Sequence, residues 1–243
     1  QISSNYIASE DILYFTDANS ITGVWDAATG KLSLTGSASI ADYQAALRSV
    51  AYRNTNNNNP SNATRTVTFI VNDGVSNSNI VSRDITLIPV NDAPIVSGLE
   101  STALTFTEGD AAKAITASLV AMDVDNANIA SVFIKISSNY VSTEDVLGFT
   151  DANGITGSWD ATTGTLTLSG GAYLDYQAAR DAVTYHNINT ENPSALTRKV
   201  SFAISDGSLN SNTVTRDIKI VPVNDAPVLA TVEATALTFT EGD

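Results

Sequence analysis

The chain repeats itself at an interval of about 133 residues. Trp-Asp-Ala begins at Trp25 and again at Trp159, an interval of 159 − 25 = 134, and Asn-Asp-Ala-Pro ends at Pro94 and again at Pro227, an interval of 227 − 94 = 133. A period of this length corresponds to one small domain per copy, not to one turn of a short-repeat solenoid. The sequence therefore predicts a string of like domains, which is typical of proteins that span, space or bind.

The repeat also sets the expected domain boundaries. Residues 1–92 are predicted to form a repeat that lacks its N-terminal strands, since the counterpart of residues 104–132 would precede position 1. Residues 93–225 are predicted to form a complete repeat. Residues 226–243 are expected to begin a third, truncated copy, because the nine residues 102–110 recur there as residues 235–243.

Composition narrows the range of partners. The chain has 26 acidic residues against 12 basic ones, and a net charge of −14. This balance argues against nucleic acid and anionic membrane surfaces, which need clustered Lys and Arg, and favours divalent cations. No cysteine is present, and no apolar run approaches the roughly 20 residues of a membrane span. We therefore expect neither disulfides nor thiol chemistry, and no membrane insertion of this segment.

Alternating polar and apolar residues indicate β-strands. Residues 66–71 and their counterparts 199–204 show the period of two that marks a half-buried strand. Further strands are predicted at residues 85–88, 104–107, 115–120, 132–136, 166–169 and 218–221. Turn residues separate them, and one short helix is predicted at residues 175–180 with Asp175 as its N-cap. The pattern predicts an all-β fold of tandem Greek-key β-sandwich domains with about seven strands each.

Several motifs follow one another in a fixed order along the chain, and some of them recur one repeat later. They are the Asn-Asp-Ala-Pro linker, the segment Phe-Thr-Glu-Gly-Asp, the pair Asp123 and Asp125, the stretch Leu-Asp-Tyr-Gln, and a strand that ends in Ser-Asp-Gly. In these motifs the chain resembles the cadherin-like tandem repeats of large bacterial surface adhesins. The resemblance implies cadherin-like or immunoglobulin-like sandwiches with Ca²⁺ bound at the junctions between successive domains.

The resemblance also implies two sets of calcium ligands. The first junction would use the linker, the top of the following domain and the base of the preceding one. Its residues would be Asn91, Asp92, Asp123, Asp125, Asn128, Asp206 and Asp42. The second junction would use the corresponding groups one repeat later. Its residues would be Glu108, Asp175, Asn224 and Asp225.

The residue types suit this chemistry. Calcium takes about 6–8 oxygen ligands from carboxylates, amide carbonyls and water, and extracellular modules bind it in the range of about 10⁻⁴–10⁻³ M. Converging carboxylates would repel one another without a cation. The junction is therefore expected to be loose without metal and stiff when metal is bound.

The same residues also have structural interpretations. The linker sequence can form a domain-ending turn, because Asn and Asp favour turns and Pro stiffens them. Asp42 and Asp175 can cap helices, Asp206 can shape a hairpin, and Glu108 can be an exposed acid at a strand end. Asp123 and Asp125 can form a solvated loop. The sequence alone is compatible with both the metal-binding and the structural interpretation of these residues.

The sequence can also be compared with the requirements of two other classes of function, a carbohydrate-binding module and an enzyme. A carbohydrate-binding β-sandwich module would use Trp25 and Trp159, although such residues more often pack. An enzyme is not predicted, because the only histidine, His186, has Arg53 as its counterpart in the first copy. The favoured function is a calcium-binding extender repeat of an adhesin that is secreted or lies on the bacterial cell surface. Its partners would be neighbouring repeats and a cell-surface protein or glycan target.

Overall fold

The chain is an all-β protein with two short α-helices in the part that its computed structural model describes. That part is residues 1–242, without the side chains at positions 173, 174, 178 and 180; position 243 lies outside it. The chain forms two compact units. Unit 1 comprises Gln1–Asp92 together with Asp123–Asp125, and unit 2 comprises Ala93–Met122 together with the residues from Asn126 onward.

Unit 1 contains three small sheets and a helix. Its elements are β1 (Ile2–Ser4), β2 (Asp11–Tyr14), β3 (Thr22–Asp26), β4 (Lys31–Thr35), α1 (Ile40–Ser49), β5 (Ala51–Asn54), β6 (Arg65–Phe69) and β7 (Val81–Ile85). The strands β1, β6 and β7 form one sheet, with β6 in the centre, while β2 pairs with β5 and β3 pairs with β4. All of these pairings are antiparallel.

The core of unit 1 is small. Ile2, Leu13 and Val67 are buried there, and Trp25 and Phe69 are among the partly buried side chains that pack on them. A cluster of this size removes little apolar surface from water, and burial of such surface is the main favourable contribution to folding. Unit 1 therefore depends more than unit 2 on its polar contacts.

Unit 2 contains more strands, several of them only two to four residues long. Its elements are β8 (Ile95–Ser97), β9 (Leu104–Thr107), β10 (Lys113–Ala114), β11 (Val120–Met122), β12 (Ser131–Ser138), β13 (Asp145–Gly148), β14 (Thr156–Asp160), β15 (Thr165–Ser169), α2 (Tyr173–Ala179), a 3₁₀ turn (Arg180–Ala182), β16 (Thr184–Asn187), β17 (Arg198–Ser205) and β18 (Val214–Val221). The main sheet has the order β14-β15-β12-β17-β18-β9, the second has the order β10-β16-β13, and β8 pairs with β11. The chain passes repeatedly between the two larger sheets, from β12 to β13, from β13 to β14, from β15 to β16 and from β16 to β17, as in a Greek-key sandwich.

The core of unit 2 lies between these sheets. Buried and partly exposed residues alternate along the whole of β17, so that Val200, Phe202 and Ile204 point into the core. Phe106 on β9 meets Tyr185 on β16 edge to face, with ring centroids 5.3 Å apart. This contact joins the main sheet to the second sheet, and both rings are fully buried. The predicted β-sandwich is confirmed.

Three local predictions need correction. The predicted strand at 85–88 is wrong for residues 86–88, because β7 ends at Ile85, which pairs with the first residue of β6, Arg65. The predicted strand at 115–120 is wrong for residues 115–119, which lie between β10 and β11. There the Glu100 carboxylate accepts hydrogen bonds from the Thr116 hydroxyl at 2.7 Å and from the Ala117 N–H at 2.8 Å, and these bonds replace a sheet ladder. The predicted helix exists, but it begins at Tyr173, which places Asp175 in its first turn instead of at the N-cap. Neither described helix is long and apolar enough to cross a membrane.

Candidate metal centre

The two linkers have the same local hydrogen bond. In the first, the Asn91 side-chain amide donates to the backbone carbonyl of Asp92 at 3.0 Å, and in the second Asn224 donates to the carbonyl of Asp225 at 3.0 Å. Such bonds between a side chain and nearby backbone are common for Asn and Asp. The two linkers therefore have the same local backbone contact, whichever other role their oxygens have.

Three of the predicted ligands form a hydrogen-bonded chain within unit 1. The Asp92 N–H donates to Asp125 Oδ2 at 2.9 Å, and the Asp125 N–H donates to Asp123 Oδ1 at 3.2 Å. Asn59 holds the same loop by donating from its side chain to the Val124 carbonyl at 3.0 Å. The structure thus links Asp92, Asp123 and Asp125 through two hydrogen bonds from backbone N–H groups.

One carboxylate oxygen of Asp92 lacks a hydrogen-bond donor among the described residues. Asp92 Oδ2 is buried and accepts no hydrogen bond from any residue in the range 1–242. A buried carboxylate oxygen without a partner destabilises a protein by the full penalty of its desolvation. A cation is one group that would satisfy it. Oxygen donors alone, from Asp and Asn, are what a hard divalent cation such as Ca²⁺ prefers.

The described residues do not form a complete site. Across residues 1–242, no three Asp, Glu, His or Cys side chains are gathered into a group that could hold a metal ion. The donors near Asp92 therefore fit calcium in chemistry, while the arrangement seen here falls short of a closed coordination shell.

Asp42 and Asp175 both serve their helices. Asp42 Oδ2 accepts from the Ser39 N–H at 3.2 Å and from its hydroxyl at 2.6 Å, while Ser39 Oγ accepts from the Asp42 N–H at 3.1 Å. This is the reciprocal capping box at the start of α1. Asp175 Oδ2 accepts from the Ala172 N–H at 2.8 Å at the start of α2. Capping, the structural interpretation of these two residues, accounts for the contacts that they make.

Asp206 shapes the hairpin after β17. Its Oδ1 accepts from the Ser208 and Leu209 N–H groups at 2.6 and 2.7 Å, and Asp73 makes the corresponding bonds in unit 1. Asn128 is exposed, and its backbone forms an isolated bridge with Ala172. The structure therefore gives Asp206 a turn-forming role and gives Asn128 a backbone role.

Glu108 ties the end of β9 to the second linker. Its N–H donates to the Val221 carbonyl at 3.0 Å, and its Oε2 accepts from the Val223 N–H at 2.7 Å. Its other oxygen, Oε1, is buried and accepts nothing from residues 1–242. Glu108 is thus not the plain exposed acid of the structural interpretation. Asn224 and Asp225, which follow, are exposed.

Both tryptophans are partly buried packing residues. Trp25 meets Tyr6 edge to face at 6.1 Å between ring centroids, and Trp159 meets Tyr140 in the same way at 6.2 Å. Each belongs to the shell of partly buried side chains around the core of its unit. The edge-to-face geometry leaves neither ring pair as the flat platform that a sugar-stacking site would offer.

The most extensive polar cluster in each unit was missed by the sequence analysis. In unit 2, Arg198 is completely buried and binds both oxygens of Asp145 from Nε, at 3.1 and 3.0 Å, and Glu144 from Nη2 at 2.8 Å. Tyr185 donates to Asp145 Oδ1 at 2.6 Å, and Arg198 Nη1 donates to two loop carbonyls. Unit 1 repeats the cluster with Arg65, Asp11, Glu10 and Tyr52.

The cluster also sets two pKa values. Burial acts to raise the pKa of Glu144, but hydrogen bonds from Asn189 and Ser194 and the charge of Arg198 together lower it. Burial, and then the hydrogen bond to Asp145, raise the pKa of Tyr185 far above its usual value. At neutral pH, Glu144 is therefore charged and Tyr185 is neutral. Since the cluster is closed to solvent and its contacts are internal, its role is structural. The signal in the sequence is that all its members recur in both copies.

Comparisons with known proteins give distant likenesses. No protein-family model matches the chain, and no curated protein does. Among solved structures, mouse clustered PcdhgC3 EC1-3 is 11% identical with a TM-score of 0.27, covering 88% of this chain and 54% of that one. PcdhgB3 EC1-4 is 12% identical with a TM-score of 0.26, covering 88% and 41%. The protein BspA_C_WT is 11% identical with a TM-score of 0.25, covering 87% and 81%. The chain spans about half or less of the first two structures, and TM-scores of this size do not establish function.

Proposed function

We propose that this chain is a non-catalytic extender segment of an adhesin that is secreted or lies on the bacterial cell surface, and that Ca²⁺ at its linkers stiffens it. The recurrence of one buried cluster, one aromatic pair and one linker hydrogen bond in both units supports a modular, spacing role. In this proposal the partners are neighbouring repeats, and the adhesion target is a cell-surface protein or glycan.

The observation that carries the calcium proposal is that two buried carboxylate oxygens accept no hydrogen bond from the described part of the chain. They are Asp92 Oδ2 beside the first linker and Glu108 Oε1 beside the second. Both lie at positions that the resemblance to cadherin-like repeats assigns to junctions between domains. An unsatisfied buried acceptor lowers the stability of a folded protein. A bound ion is one explanation for such an atom in a native structure.

The chemistry of the donors is consistent with this assignment. Asp92, Asp123 and Asp125 would supply carboxylate oxygens to an ion at the first linker, and Asn91 an amide oxygen. At the second linker, Glu108 and Asp225 would supply carboxylate oxygens and Asn224 an amide oxygen. A bound Ca²⁺ would supply positive charge that offsets the repulsion among these acids. Because the described acids are not already gathered, we expect binding to organise the linker, with a dissociation constant of about 10⁻⁴–10⁻³ M.

Calorimetry tests the proposal. Addition of CaCl₂ to metal-free protein should raise the melting temperature, since a ligand that binds only the folded state stabilises it. The double variant Asp123→Asn with Asp125→Asn should bind Ca²⁺ at least tenfold more weakly and lose most of this rise. The matched control is Asp73→Asn with Asp84→Asn, which makes the same change in charge at exposed positions of unit 1.

The outcomes are distinct. An equal loss in both double variants would mean that the effect depends only on net charge and not on a site at the linker. No heat of binding and no rise in the wild-type protein at millimolar Ca²⁺ would overturn the calcium part of the proposal. Hydrolysis of a polysaccharide or peptide substrate by the purified chain would overturn the non-catalytic part.

A further inference from the structure

The outer face of the main sheet in unit 2 is lined mostly by hydroxyl side chains. Along β12, β15 and β17, the residues that alternate with the buried core positions point away from the core, and most of them are Ser or Thr. Among these outward residues, all of which the structure describes, only Phe133 and Ala203 are apolar. The face is therefore polar and made of short side chains, with one large ring in it.

Phe133 is the ring that this face exposes. It is 40% exposed, and the residues directly opposite it are Thr167 on β15 and Ala203 on β17, both of which have short side chains. None of the ring contacts within residues 1–242 involves Phe133. Lys135 follows two residues later on β12 and therefore points to the same side. The ring is thus open to a partner that can stack on it, with a positive charge beside it.

Three lysines lie on this face in a diagonal line. Lys199 on β17 is two residues from Ser201, which is directly opposite Lys135 on β12. Lys219 on β18 is two residues from Asp217, which is directly opposite Lys199. Because adjacent strands are about 4.8 Å apart and each residue rises about 3.4 Å, each diagonal step between the lysines is about 8 Å.

The line of lysines gives the face a positive charge in an acidic chain. The net charge of the chain is −14, yet three of the four lysines of unit 2 lie here. Lys199 Nζ lies 2.6 Å from Asp217, so these two charges offset each other. Lys135 and Lys219 are exposed and form no salt bridge with any residue in the described part of the chain. Asp160 lies at the edge of the face on β14, where its carboxylate binds its own turn.

The fold does not require these lysines. The counterparts of Lys199 and Lys219 in unit 1 are Thr66 and Thr86, although the buried arginine cluster is the same in both units. A charge that supported the sandwich itself would be expected in both copies. The lysines therefore point to a contact that unit 2 makes with another molecule.

We propose that this face of unit 2 binds a linear acidic polysaccharide. Its carboxylate or sulfate groups pair with Lys135 and Lys219, and one of its sugar rings stacks on Phe133, because the negative face of an aromatic ring attracts the C–H groups of a sugar. The Ser and Thr hydroxyls of the face exchange hydrogen bonds with the hydroxyls of the sugar, since each can donate and accept. This inference rests on the proposed adhesion role and names the class of its target.

The chemistry of the face favours a sugar polymer over other polyanions. Duplex DNA carries one negative charge per about 1.7 Å of its axis, and an acidic chain repels such a dense charge. The centre of a protein interface is apolar and depleted in Ser, Ala and Lys, the residue types that surround Phe133 here. A polysaccharide charged once per sugar or per disaccharide suits lysines that are about 8 Å apart.

Biolayer interferometry in EDTA tests the binding. The immobilised polymers are polygalacturonate, which carries carboxylates, dextran sulfate, which carries sulfates, and neutral dextran. The wild-type chain should bind at least one of the acidic polymers and not dextran, and the comparison of the two shows which anionic group it prefers. Binding should weaken at least tenfold between about 0.05 M and about 0.5 M NaCl, because salt screens charges at an exposed surface.

Surface variants locate the site. Lys135→Gln with Lys219→Gln should weaken binding at least tenfold, and Phe133→Ser, which keeps the charge and removes the ring, at least fivefold. The matched control is Lys31→Gln with Arg53→Gln, which makes the same change in charge at exposed positions of unit 1 and should weaken binding less than twofold. All these residues are exposed, so the melting temperature of each variant should match that of the wild type.

Each contrary outcome removes a defined part of the proposal. Equal losses in the two double variants would overturn the placement on this face, and full binding by Phe133→Ser would overturn the stacking. Equal binding to dextran would overturn the role of charge, and equal binding to polyglutamate or duplex DNA would overturn the sugar as ligand. Absence of binding to both acidic polymers at low salt would overturn the whole inference. Because EDTA removes Ca²⁺, that failure leaves the calcium proposal to its own calorimetric test.

Discussion

Arg198 and Asp145 form an ion pair in which neither side chain is exposed to solvent. The guanidinium Nε lies 3.1 Å from one carboxylate oxygen and 3.0 Å from the other. Arg65 and Asp11 repeat this arrangement in unit 1, at 3.2 and 3.1 Å. Each repeat is thus built around one buried arginine, which links strands β13, β16 and β17, or β2, β5 and β6, through charged hydrogen bonds.

Replacement of that arginine should strongly destabilise unit 2. Arg198→Met removes the charge and retains much of the volume, which leaves Asp145 and Glu144 buried without their cation. Breaking a buried pair from one side lowers the free energy of unfolding by about 3–5 kcal/mol. Urea denaturation followed by Trp159 fluorescence, in a Trp25→Phe background, would measure this change in unit 2.

The adjacent residue provides a matched control. Lys199 lies 2.6 Å from Asp217, but both side chains are almost half exposed, at 45% and 46%. Exposed pairs of this kind contribute roughly 0–1 kcal/mol. Lys199→Met should therefore change the free energy of unfolding little, and losses of equal size in the two variants would contradict a special role for the buried pair.

The sequence predicts the sheets better than it predicts this cluster. Alternating residues identify β17 and β6 because one face of each strand is apolar, and that pattern is local. The buried cluster is not local: Asp145 and Arg198 are 53 positions apart, and charged residues are usually exposed. Comparison of the two copies would have found it, because each member recurs at the repeat interval.

The candidate ligands show a similar limit. The resemblance to cadherin-like repeats groups Asp92 with Asp123 and Asp125 as metal ligands, and the structure links these three residues by hydrogen bonds. The same resemblance does not distinguish an acid that binds metal from one that binds its own backbone. Asp42 and Asp206 bind nearby N–H groups, as Asp and Asn do in caps and turns. Whether an acid binds a metal or a backbone N–H depends on the geometry of its loop. The spacing of residues in the sequence does not determine that geometry.

Glu100 should make unit 2 sensitive to acid. Its burial favours a higher pKa, but hydrogen bonds from Ala117 and Thr116 and the charge of Arg216 lower the pKa from 4.5 to about 2. Because the folded value is depressed, Glu100 stabilises the fold above pH 4.5, and this contribution is lost as the pH falls through about 2. Glu100→Gln should lower the free energy of unfolding at pH 7 by about 1–2 kcal/mol, allowing for partial exposure.

The pH dependence separates this effect from a loss of packing. The difference between wild type and Glu100→Gln should shrink steadily between pH 4.5 and about 2, in thermal melts recorded at several pH values. Glu191→Gln, at an exposed position, is the control and should show no such convergence. A difference that stays constant with pH would mean that the carboxylate charge is not what stabilises the wild type.

The capping box of α1 should contribute measurably to unit 1. Ser39→Ala removes the hydroxyl that accepts from the Asp42 N–H and donates to its carboxylate. Loss of such an N-cap lowers the free energy of unfolding by about 0.5–2 kcal/mol. Trp25 fluorescence during urea denaturation, in a Trp159→Phe background, would report on unit 1. Ser37→Ala, exposed and outside the box, should have almost no effect, and equal losses would contradict the capping role.

Gly164 supports the ring of Tyr140. The glycine has a φ of +66°, and a Cβ there would lie 3.0 Å from three ring atoms, while the ring hydroxyl donates to the Ala161 carbonyl at 2.6 Å. Gly30 and Tyr6 repeat the contact in unit 1. The close approach of ring and backbone explains why glycine stands at this turn in both copies.

Substitution with alanine separates the ring contact from the backbone conformation. Gly154 also has a positive φ, of +75°, but a Cβ there meets nothing within 4 Å. Gly154→Ala should therefore lower the free energy of unfolding by about 1–2 kcal/mol through φ alone, and Gly164→Ala by about 1–3 kcal/mol more, because the ring must move. Repeating both substitutions in a Tyr140→Ala background should make the two losses equal, since the clash is then absent. Urea denaturation of unit 2 measures all of these values, and an excess that persists without the ring would show that another contact makes Gly164 necessary.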